Sequence, residues 1–160
     1  MNRISRRSWI GAAATALTGV RQGWSAKFTR PIGVQLYTVR NVLPAAAEPT
    51  LRAIAGIGYR EVEIALADLP RLAPMLKEDG LRAVSCHIDT AMVTGASQGK
   101  PPAMTLTAAI DEVKKYGLRY VVMPYIRPQD RGSGDFYRQL TDKMNRAGEE
   151  CRAAGLQFCY

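Results

Sequence analysis

Hydrophobic positions along the chain recur with two alternating periods. Leu69, Leu72 and Leu76 stand at i, i+3, i+7. Leu106, Ala109, Ile110 and Val113 stand at i, i+3, i+4, i+7, and Leu51, Ile54 and Ala55 repeat the pattern more weakly. Phe136, Leu140, Met144, Ala147 and Cys151 make one stripe on a longer helix, spanning 135–154. Such spacing marks the buried face of an amphipathic helix. Between these segments lie short, nearly continuous apolar runs: 32–37, 61–64, 83–87, 120–124 and 158–160. They read as strands buried on both faces. Gly58, Gly80, Gly117 and Gly155 each follow a helical segment and precede a run. Glycine at that place is the usual left-handed end of a helix, because it has no Cβ to oppose a positive φ.

The order is therefore β-α-β-α-β-α-β-α-β, which calls for a parallel sheet covered by helices. Residues 31 to 156 hold four repeats (156 − 31 = 125), about 31 residues each, and eight would need about 250, the usual length of a (β/α)8 barrel. The expected fold is the N-terminal half of a TIM barrel, about four and a half βα units, with the chain truncated in strand five. Half a barrel leaves open sheet edges, so little catalysis is expected of the chain by itself, and pairing into a homo-oligomer is one way to cover it. The alternative is a complete five-stranded open sheet of the flavodoxin type.

Charge is unevenly placed. The chain carries 22 Lys+Arg and 14 Asp+Glu, a net +8. Arg3, Arg6, Arg7 and Arg21 lie in the first 26 residues, which hold no acid. The remainder carries 18 − 14 = +4 without a basic stripe, which argues against nucleic acid as a partner. Ser5-Arg6-Arg7-Ser8-Trp9-Ile10 and the small, weakly apolar residues after it resemble a twin-arginine export signal. The expected layout is a signal peptide over 1–26, cleaved after Ala26, and one domain over 27–160, with a periplasmic or exported destination and no membrane partner after cleavage. Three cysteines, 86, 151 and 159, are too scattered for a disulfide framework or a Cys-based zinc site.

Loop lengths point to the working end. The helix-to-strand turns are two or three residues long, whereas 38–49, 89–104 and 125–134 follow strands. Only 65–67 is a short strand-to-helix loop. Elaborated loops at the carboxyl ends of parallel strands mark the place of a site. Strand alternation turns Gln35 and Tyr37 inward if Val34 and Leu36 face the helices. It likewise turns Glu61 and Glu63 inward in strand two, with Glu63 at the top. Ser85 and His87 share the inner face of strand three. A carboxylate and an imidazole at neighbouring strand ends can share a metal, a water or a sugar hydroxyl. Gly95-Ala-Ser-Gln-Gly-Lys100 is not a phosphate loop: it is one residue short between its glycines, and Pro101 stands where Ser or Thr is required. Arg127 and Arg131 read as solvated loop charges.

The segments Ile32-Gly-Val-Gln-Leu-Tyr-Thr-Val-Arg40, Gly56-Ile-Gly-Tyr-Arg-Glu-Val-Glu63, Leu81-Arg-Ala-Val-Ser-Cys-His87 and 145–160 resemble the sugar phosphate isomerase/epimerase family, with its xylose-isomerase-like barrel. The resemblance implies isomerisation or epimerisation of a small carbohydrate by proton transfer beside a carbonyl. It implies Glu63 and His87 as catalytic residues, and Gln35, Tyr37 and Tyr125 as substrate contacts. It also implies a divalent metal (Mn, Co, Zn or Mg), most of whose ligands would lie beyond Tyr160. Two other functions are compatible with the same barrel: a metal-dependent endonuclease of abasic sites, and a non-catalytic exported sugar-binding protein.

Overall fold

A computed structural model describes residues 29–160 apart from 96, 98 and 133. The expected signal peptide lies outside the described residues. The fold described is that of the compact unit Pro31–Tyr160.

Five strands form one sheet: β1 (Gly33–Gln35), β2 (Glu61–Ala65), β3 (Arg82–His87), β4 (Tyr120–Val122) and β5 (Gln157–Cys159). Every neighbouring pair is parallel, and the spatial order is β1-β2-β3-β4-β5. Helices α1 (Ala47–Ile57), α2 (Leu69–Glu78), α4 (Leu106–Lys115) and α5 (Gly134–Ala153) connect them. The single-turn α3 (Ala91–Thr94) lies within the loop after β3. A doubly wound sheet reverses its strand order at a switch point. This sheet never does, so the flavodoxin alternative is overturned and the barrel-type progression stands.

The helical stripes are the core. Leu51, Leu69, Leu72, Ala109, Val113 and Cys151 are fully buried, and they join the outward face of the sheet, Val62, Ile64, Cys86 and Val121, in one cluster. Each fully buried aliphatic side chain there contributes about 1.5–3 kcal/mol from area removed from water. Local chemistry fixes the element ends. Thr105 caps α4, its Oγ1 accepting from the Ala108 N–H at 3.2 Å. The four punctuating glycines all take positive φ, from 67° at Gly80 to 115° at Gly58.

Two segments differ from the pattern-based expectation. β1 ends at Gln35, and Leu36–Val39 turns into a 3-10 helix with Leu36 buried under it. The expected alternation therefore stops before Tyr37, which is 64% exposed. The loop after β3 also contains structure: besides α3, Ser97 and Lys100 pair N–H to carbonyl at 2.9 and 3.0 Å. The Ser97 backbone is thus engaged with Lys100, and its hydroxyl donates to Asp130 Oδ2 at 3.1 Å. No helix among the described residues is long and apolar enough to cross a membrane.

Candidate functional site

Register across the first three strands aligns the site. Gln35 pairs with Glu63, and Glu63 with Ser85. The same transverse row continues to Tyr120 and Gln157. In parallel strands, residues in register share a face, so this row is polar on all five strands where barrel interiors usually carry branched apolar residues. An extra residue makes the alignment possible. Val62 faces Ala83, but Glu63 faces Ser85, so Val84 has no partner on β2 and stands as a bulge. A bulge of this kind re-aims the side chains that follow it. Beyond it His87 sits at the carboxyl end of β3, opposite Ala65.

The four side chains converge. Glu63 Oε1 lies 2.8 Å from His87 Nε2 and accepts from Gln35 Nε2 at 2.9 Å. Gln35 Nε2 and His87 Nε2 are 3.1 Å apart. The other carboxylate oxygen, Oε2, accepts from Ser85 Oγ at 2.7 Å. Two lone pairs cannot face each other across 2.8 Å, so one proton must occupy the gap between Nε2 and Oε1. With that proton on nitrogen, both Gln35 and His87 donate to one carboxylate oxygen. Glu63 and His87 side chains keep 26% and 21% of their surface exposed, so the cluster is fixed yet reachable.

Three of the expected residues, Gln35, Glu63 and His87, thus meet. Tyr37 and Tyr125 lie outside the cluster. Tyr37 stacks under the Arg40 guanidinium, 4.4 Å from the ring centroid. Tyr125 is 53% exposed, and its carbonyl accepts from Thr90 Oγ1 at 2.8 Å. Glu61, at the opposite end of β2, pairs with Arg82. Arg131 donates to the Ile126 carbonyl at 3.1 Å. Ser85 joins the cluster although the sequence pattern assigns it no role. Its position two before His87 put it on the right face, but nothing local showed that its hydroxyl meets Glu63.

The nearby thiols are both raised above their ordinary value. Burial, and next the Glu63 charge, push Cys86 up to about 12 from an ordinary 9.0, so it is protonated at neutral pH. Burial and the same carboxylate also raise Cys159. As for a metal, Glu63 and His87 offer one oxygen and one nitrogen at a separation near the roughly 3.0 Å edge of an octahedral shell with bonds of about 2.1 Å. Catalytic zinc uses three protein ligands, and among the described residues no three His, Cys, Asp or Glu side chains lie close enough to hold an ion. Among the described residues, then, these two donors do not by themselves make a coordination shell.

No family model and no curated protein matches the chain. Solved structures do. A sugar phosphate isomerase/epimerase from Parabacteroides distasonis is similar at 19% identity, over 81% of this chain and 53% of that one, with a TM-score of 0.65. A xylose isomerase-like TIM barrel protein from Mycobacterium smegmatis, solved in complex with magnesium, is similar at 13% identity over 81% and 54%, TM-score 0.59. A D-psicose 3-epimerase solved in the presence of D-fructose is similar at 14% identity over 79% and 50%, TM-score 0.51. The chain spans about half the length of these structures. At such identity the likeness is one of fold: the sheet and its helices correspond to about half of a xylose isomerase-like barrel.

Proposed function

We propose that Glu63 and His87 form an acid–base pair that moves a proton beside the carbonyl of a small sugar, in an isomerase or epimerase. The observation that carries the reading is the 2.8 Å contact between Glu63 Oε1 and His87 Nε2 at the carboxyl end of the parallel sheet. Glu63 takes the proton from the carbon next to the carbonyl. The C–H electron pair becomes the new C=C bond, and the carbonyl oxygen receives a proton from His87, giving an enediol. Glu63 then gives its proton to the former carbonyl carbon while His87 takes the proton from the other enediol oxygen, whose carbon becomes the new carbonyl, and isomerisation is complete. Both groups stand on one face of the sheet, which suits transfer between adjacent carbons. Inversion at one carbon needs a second acid on the opposite side of the sugar. Ser85 and Gln35 hold the carboxylate so that little reorganisation accompanies the transfer.

A divalent ion, when bound in such an enzyme, would polarise the carbonyl. The steps above use only this chain's own residues. His87 is the chain's single histidine, so its ring signals in NMR report on the site without ambiguity. Adding aldoses and ketoses of five or six carbons to the full chain should shift those signals saturably. Exchange of the hydrogen beside the carbonyl in D2O, slow in this half barrel, should fall further in Glu63→Gln and in His87→Asn. If no sugar moves the His87 signals, the reading is wrong.

We also propose that the N-terminal segment directs export of the folded protein. The support is the paired Arg6-Arg7 ahead of a weakly apolar run. Replacing both arginines by lysine should leave the chain in the cytoplasmic fraction of a bacterial host. Unchanged export of that variant refutes the proposal.

A further inference from the structure

Beside the acid–base pair the structure holds a cavity of about 710 Å³, and His87 forms part of its wall. It opens between the loop after β2 and the loop after β3, with α4 behind. Most of the wall is apolar: Leu66, Pro70, Met92 and Met104. The polar side chains on it are already engaged. Asp89 Oδ1 accepts from the Ala91 N–H at 3.0 Å. Glu112 accepts from Lys115 Nζ at 2.7 Å. His87 faces Glu63 and Gln35.

A sugar ring placed there would strip water from its hydroxyls and meet few partners, which is unfavourable. An apolar group gains by leaving water, and two methionines give a wall that adapts to its shape. The volume lies within the roughly 300–1,000 Å³ of small-molecule sites. We infer that the substrate is a sugar carrying an apolar substituent, an aryl or alkyl group, which lodges in this cavity while the sugar carbonyl lies against Glu63 and His87. The inference rests on the carbohydrate reading above and narrows its substrate class.

Matched methyl and phenyl β-glycosides of 3-keto-D-glucose and 3-keto-D-xylose, which keep a free ring carbonyl, with phenol as the bare apolar group, test it on the full chain. Calorimetry should show a phenyl glycoside binding at least tenfold tighter than its methyl counterpart. Saturation-transfer NMR should place the phenyl protons nearest the protein. Met104 is 39% exposed and stands outside the buried core. Met104→Asp should reduce phenyl glycoside binding at least fivefold and leave the methyl glycoside unchanged, and Met104→Leu should restore it. Equal affinity for methyl and phenyl glycosides overturns this inference alone. Binding of phenol with rejection of every glycoside, or no binding at all, overturns the carbohydrate reading as well.

Discussion

Ser85→Ala isolates one contact of the cluster. Ser85 is 8% exposed, and it is the buried polar side chain among the described residues. Its hydroxyl donates to Glu63 Oε2 at 2.7 Å. A hydrogen bond to an ionised group contributes about 1.5–3 kcal/mol. Glu63 keeps 26% of its side-chain surface exposed, so water replaces part of the lost donor, and the cost belongs at the low end, about 1.5 kcal/mol. For a unit of this size 1 kcal/mol lowers Tm by roughly 4 °C, so Ser85→Ala should melt about 6 °C earlier. Urea unfolding followed by circular dichroism should show a lower midpoint with an unchanged slope. A double-mutant cycle with Glu63→Gln should give a coupling of about 1 kcal/mol. Ser97→Ala, which loses a bond to Asp130 in a loop, should cost less than about 0.5 kcal/mol. A Ser85→Ala protein within about 0.5 kcal/mol of the parent, or no coupling to Glu63, would falsify the view that Ser85 holds the carboxylate.

Two further outcomes follow from the same structure. The Cys86 thiol, pushed up to about 12 by burial from 9.0, stays protonated in the folded chain while the unfolded chain ionises above pH 9. Stability should be unaffected by this group below pH 9 and fall by about 1.36 kcal/mol per pH unit between there and the folded value. Urea midpoints from pH 8 to 10.5 should decline less steeply in Cys86→Ala, and equal slopes would contradict the assignment. Gly58 and Gly56 should respond in opposite directions to alanine. A Cβ meets nothing within 4 Å at either, but Gly58 has φ +115°, so alanine there should cost about 1–2 kcal/mol. Gly56 lies inside α1, where alanine should stabilise by about 0.5–1 kcal/mol. Thermal melts of the two variants decide it, and a shift of the same sign in both refutes the backbone argument.

Much of the molecule was legible before any coordinates. Leu69, Leu72 and Leu76 declare a helix by spacing alone, because side chains three and four apart share a face whatever surrounds them. Gly58, Gly80, Gly117 and Gly155 declare its ends, because a positive φ is a property of one residue. The inward placement of Glu63, Ser85 and His87 came from alternation, which is also local. Tyr37 shows where that logic stops. Alternation continued through Leu36 only on paper, since the strand ends at Gln35 and the chain turns to bury Leu36.

The sequence by itself therefore determined the elements, their alternation and the polar character of the strand ends. Tertiary structure decided the sequential strand order and the meeting of Gln35, Glu63 and His87. Gln35 reaches Glu63 across 28 positions and His87 across 52. Such distances are set by register between strands, and here the register shifts at one residue without a partner on β2, Val84. No local propensity encodes that shift. It results from how whole strands pack beneath their helices, where a slip of one residue would turn polar and apolar faces inside out.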